Sequence, residues 1–170
     1  MQNKPDEIVE AIKIAFESAA YPGDNAITYD DVNNHLEASE IAQFFRGVTW
    51  QSVSFELILA HSDALFFMTP EAHQYYLPAF LTTCIMHQDE ETNILSSIII
   101  DLTPLRQITR VDKSFFLKKF GVFTAAQVRA IILFLEFSLS EINNSTPFNH
   151  NIKASLSFWR AHSSINTTIK

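Results

Sequence analysis

Residues 69–86 read TPEAHQYYLPAFLTTCIM, and the fold class turns on how this stretch is interpreted. Thr69 offers a hydroxyl where a helix N-cap is needed. Pro70 follows at the first helical position, where its missing N–H costs nothing, and Glu71 places a carboxylate against the positive end of the helix dipole. These signals predict a helix over about 70–87. Pro78 lies inside it and cannot bond the carbonyl of Gln74, so a kink or a break is expected there.

Working outward, the flanking segments carry the same helical periodicity. In residues 7–19, Ile8, Ile12, Ala15, Phe16 and Ala19 fall on one stripe, with Asp6 placed to cap. Tyr21-Pro22-Gly23-Asp24 ends that helix in a turn, and 24–36 is polar and loop-like. A short helix is predicted over 38–46, with Ile41, Phe44 and Phe45 inward and Gly47 just past its end. Another is predicted over 53–62. Residues 94–102, ILSSIIIDL, fit a buried helix or a strand; helix is preferred because a lone strand would have no partner. Asp112 is placed to cap a short helix predicted through Phe120, ended by Gly121. Thr124 and Gln127 have capping-box spacing, and the helix they open, about 124–142, is apolar on nearly all sides and is read as central. After a loop over 143–149, a last helix carries Leu156 and Trp159.

Composition supports this reading. The 170 residues are 47% hydrophobic with fifteen Phe, which suits a folded core and not an acidic disordered tail. Three Gly and six Pro are too few for the turns of a sandwich or barrel. The expectation is an all-α chain, 1–170 forming one compact multi-helix domain. The start MQNKPDEIVEAI lacks the apolar stretch of a secretory signal, and Ile94–Ile100 is far shorter than the ~20 residues that span a bilayer. A single Cys84 in an apolar segment suits a reducing, cytoplasmic setting and predicts an inert thiol.

Charge is distributed unevenly. Residues 1–91 hold fifteen Asp/Glu against three Lys/Arg, net −12, whereas 92–170 hold four against nine, net +5, giving −7 for the chain. Such a surface attracts basic partners and repels nucleic acid.

Three segments together resemble a family of small, uncharacterised bacterial helical proteins, a domain of unknown function. They are Phe45-Arg46-Gly47-Val48-Thr49-Trp50, then Ala64 through Leu81 with its TPEAxxYYLPAFL signature, and Phe123-Thr124-Ala125-Ala126-Gln127 with the apolar helix and terminal Phe158-Trp159. Met68 and His73 depart from the family pattern, which would place Leu and a basic or aromatic residue there. The resemblance implies an all-helical fold and supplies no chemistry.

No motif in the chain carries catalysis. There is no G-x-S-x-G, no H-E-x-x-H and no spaced Cys set, and Gly23, Gly47 and Gly121 stand alone. His61, Asp63, His87 and Asp89–Glu91 have metal-binding chemistry, but a His near a helix end and a solvated acidic loop account for them better. Arg106, Arg110, Lys113, Lys118 and Lys119 with Phe115 and Phe116 imitate a nucleic-acid stripe, against which stands the acidic first half. The preferred reading is a cytoplasmic binding protein with no cofactor and no catalytic or metal site. In type it matches immunity proteins that neutralise a basic toxin, plausibly a nuclease of a contact-dependent growth inhibition system encoded nearby. Its contacts are Asp24, Asp30, Asp31, Glu37 and Glu40, with Asp89, Glu90 and Glu91 as a second patch. The alternatives are an enzyme or sensor with an aromatic pocket around Tyr75 and Tyr76, and an oligomer subunit with an apolar interface.

Overall fold

The computed structural model describes residues 4–29, 36–88, 92–104, 117–141 and 148–165. Its helices are α1 (Pro5–Phe16), α2 (Leu36–Phe45), α3 (Phe55–Ala60), α4 (Pro70–Met86), α5 (Ile94–Leu102), α6 (Ala125–Glu141) and α7 (Phe148–Ile165), with single 3₁₀ turns at Trp50–Ser52 and Ala64–Phe66. The chain is all-helical, and among the described residues the sole β feature is an isolated bridge between Thr28 and Met68. No described helix is long and apolar enough to cross a membrane.

Helix α4 forms the axis. Pro70, Ala72, His73, Tyr75 through Thr82 and Ile85 are buried, so almost every face of it meets protein. It runs unbroken through Pro78. Its start is set by Thr69, whose Oγ1 accepts from the N–H of Ala72 at 3.2 Å while donating to the carbonyl of Ala26 at 2.7 Å. One hydroxyl thus caps the helix and pins the 21–29 segment against it, with Ile27 buried beneath. Helix α6 shares the interior through Val128, Ile131, Phe134 and Leu135, and packs on α1 and α7. Its start is the expected capping box: Gln127 N–H donates to Thr124 Oγ1 (3.3 Å), and Thr124 N–H to Gln127 Oε1 (2.9 Å).

Helix ends are closed by side chains from elsewhere. Tyr76 Oη lies 2.8 and 2.9 Å from the carbonyls of Phe45 and Val48, where α2 stops, and Gly47 supplies the left-handed φ of +68°. The last carbonyl of α5, on Leu102, accepts from Ser155 Oγ and Trp159 Nε1 at 2.6 and 3.1 Å. Gly121 has a different role: a Cβ there would sit 2.7 Å from the Leu117 carbonyl oxygen.

Several expectations need correction. Asp6 is not the cap of α1; Pro5 takes the first helical position, the helix begins from Lys4, and Glu7 accepts from the Lys4 N–H at 3.3 Å. Phe44 points outward, 46% exposed, because Ala38, Ile41 and Phe45 already occupy the inner arc of α2. Cys84 is half-buried, not enclosed. The Ile94–Leu102 segment is a helix, as preferred. Of the predicted 112–120 segment, 117–120 is helical and the remainder lies outside the described residues.

Candidate functional site

The acids singled out in the sequence fall into two groups. Asp30, Asp31, Asp89, Glu90 and Glu91 lie outside the described residues. Asp24, Glu37 and Glu40 are exposed. With 3.6 residues per turn, Leu36, Glu37, Glu40 and Phe44 share one outer arc of α2, opposite the buried Ala38, Ile41 and Phe45. Leu36 is 90% exposed, and the Phe44 ring lies 4.7 Å from the imidazole of His61, tilted by 39°. Neither glutamate makes an ion pair among the described residues. Asp24 lies near the C-terminal end of α2: it accepts from the Tyr21 hydroxyl at 2.6 Å, and that hydroxyl accepts from Gly47 N–H at 2.8 Å, just beyond the helix. Burial and the Asp24 hydrogen bond raise the Tyr21 pKa.

Sequence reasoning missed a second constellation in the interior. Asp101 on α5 accepts from His73 Nε2 on α4 and from Lys119 Nζ, each at 2.6 Å, and Lys119 also donates to the Leu65 carbonyl at 3.1 Å. All three residues are buried. Burial holds His73 below its ordinary 6.5 against the pull of Asp101, and the Lys119 charge lowers it further. Burial would raise Asp101, yet the Lys119 charge and the hydrogen bonds donated by His73 and Lys119 hold it below its ordinary value. The consistent charge state is a neutral imidazole donating its Nε2 proton, an aspartate anion and a lysine cation, which together are neutral. This tautomer follows from the hydrogen-bond geometry and leaves His73 Nδ1 a bare lone pair. That atom has no hydrogen-bond partner among the described residues, and the imidazole packs edge-to-face with Phe120 and Phe123 at centroid distances of 5.6 and 5.8 Å. The triad lies wholly inside the protein, so its chemistry is structural: it joins α4, α5, the 117–120 turn and the Ala64–Phe66 turn. Two signals existed in the sequence: an acid within the apolar run ILSSIIIDL, and His73 as a departure from the family pattern.

Other candidate groups sit differently from what their residue types suggest. Tyr75 and Tyr76 are buried against Tyr21, Phe45 and each other, so neither ring is open to solvent. Burial raises the Tyr76 pKa well above its ordinary 10. Among the described residues no group of three His, Cys, Asp or Glu side chains is placed to hold a metal. His87 instead stacks on Phe55 at 3.9 Å. Within the basic stripe, Lys119 faces inward to Asp101, and Arg106, Arg110 and Lys113 lie outside the described residues.

Comparison with known proteins identifies the lineage. The profile of the family of unknown function DUF6714 matches residues 4–163, and the chain belongs to that family. Neither a curated protein nor a solved structure matches it.

Proposed function

We propose that this member of a family of unknown function is a cytoplasmic protein-binding module, an immunity protein that covers the active site of a basic toxin domain. The observation that carries the reading is the outer arc of α2, where Glu37 and Glu40, which make no ion pair among the described residues, stand beside Leu36 and Phe44. Single exposed apolar side chains are ordinary; here an aromatic and a leucine share one arc with two anions, so apolar contact area and negative charge face the same way. The anions steer a basic partner and the apolar pair supplies desolvated contact. A nuclease must be positive where it meets phosphate, so an acidic cover complements that cleft and can raise association rates to ~10⁸–10⁹ M⁻¹s⁻¹ at low salt.

The test is co-purification with the product of the adjacent gene, followed by surface plasmon resonance. Glu37→Lys with Glu40→Lys should slow association by about tenfold at low ionic strength, and the effect should shrink beyond ~0.15 M salt, where the Debye length is about 8 Å. Phe44→Ala should act on dissociation instead. An association rate untouched by the double reversal would overturn the electrostatic reading, and absence of any complex would overturn the immunity role.

A further inference from the structure

Helices α1 and α6 each turn one face to the core and leave a groove of about 510 Å³ between their outer faces. Its lining includes Ala11, Ile14 and Ala15 from α1 with Ala126, Arg129 and Leu133 from α6. Phe16 at the end of α1 meets Phe123, just before α6 begins, so the two helices run in opposite directions along the groove. Ile14 is 65% exposed and projects from a helix whose core stripe of Ile8, Val9, Ile12 and Phe16 is already complete. The alanines beside it leave a recess.

We propose that this groove is where a second copy of the chain docks, α1 against α1 across a two-fold axis. A two-fold contact requires the projecting group and its recess to lie on the same patch of one molecule. Ile14 and the adjacent alanines meet that requirement, since each copy's Ile14 enters the alanine-lined recess of the other. The charges also fit. Arg129 on one wall is exposed and makes no ion pair among the described residues; Glu10, one turn before Ile14, is exposed and likewise unpaired. A two-fold sets each copy's cation against the other's anion, so the pair forms twice.

The salt dependence separates this contact from toxin binding. Two chains of net charge −7 repel, and the rim pairs contribute little, so an association resting on apolar contact strengthens as salt rises. Binding of a basic partner to α2 weakens under the same change.

The experiment is light scattering after gel filtration, with sedimentation equilibrium, on the full chain from about 1 to about 500 μM and from about 0.05 to about 0.5 M NaCl. The mass should move from 19.4 kDa toward twice that value with concentration, and further at high salt. Ile14→Glu and Ala126→Glu, both at exposed positions, should each weaken association at least tenfold with an unchanged circular dichroism spectrum. Arg129→Glu should also weaken it, and adding Glu10→Arg should restore it. A monomer throughout the range overturns the proposal, as does a dimer that none of these variants disturbs. Seating of a different protein in the groove, with the chain alone staying monomeric, overturns it equally.

Discussion

Replacing Asp101 by Asn tests the interior most directly. Asparagine keeps the shape and leaves Lys119 a buried cation with no anion, while His73 faces an amide in place of a carboxylate. Breaking a buried pair by neutralising one partner costs about 3–5 kcal/mol. The depressed carboxyl points the same way, since the folded state favours the anion at Asp101. The variant also strands the lysine, which adds to the loss. At 2–4 °C per kcal/mol for a chain of this size, the melting temperature should drop by roughly 6–20 °C. Urea unfolding followed by circular dichroism at pH 7 measures the free energy. The companion is Asp101→Asn with Lys119→Met, which removes both charges; its loss should fall short of the sum of the two single losses by at least ~1 kcal/mol. A single-variant loss under ~1 kcal/mol, or strict additivity, would refute the closed, charge-coupled network.

Lys119→Met should raise the His73 pKa, because the lysine charge beside it disfavours the imidazolium; an NMR titration of the His73 ring checks the direction. The unfolded chain takes up the His73 proton near 6.5 while the folded chain resists it, so this residue's stabilisation is complete above pH 6.5 and declines as pH falls below that value. Asp101 adds a second loss from 3.8 down to about 2. His73→Gln retains an N–H donor without the titration, and the difference in urea midpoint between it and the native chain should narrow from pH 7 to pH 5. Thr124→Ala removes one arm of the α6 capping box and should cost about 1 kcal/mol in denaturant titration. Cys84, whose pKa burial raises to about 12, should react with a thiol reagent far more slowly in the native chain than in urea. Equal rates would show the thiol open.

The helices themselves were legible because their signals are local. The hydroxyl of Thr69 with Pro70, the box of Thr124 and Gln127, and the left-handed glycine after Phe45 all act within one turn, so reading neighbours in sequence is reading neighbours in space. The helical state of Ile94–Leu102 was harder, since β-branched residues suit either element, and only the helical surroundings decided it. The acidic half was countable, and so was the absence of catalytic motifs. What tertiary structure alone decided is which charges face water. His73, Asp101 and Lys119 are 28 and 18 residues apart and come within 2.6 Å only because α4, α5 and the 117–120 turn converge. Lysine in a basic run ordinarily signals an exposed stripe, and here a buried carboxylate reverses that by making the cation cheaper inside than unpaired. Phe44 reads as inward by its type and stands outward because Ala38, Ile41 and Phe45 fill the inner arc of α2. Residue type and spacing determine what an element is; the space left by the other elements determines which of its faces is a surface.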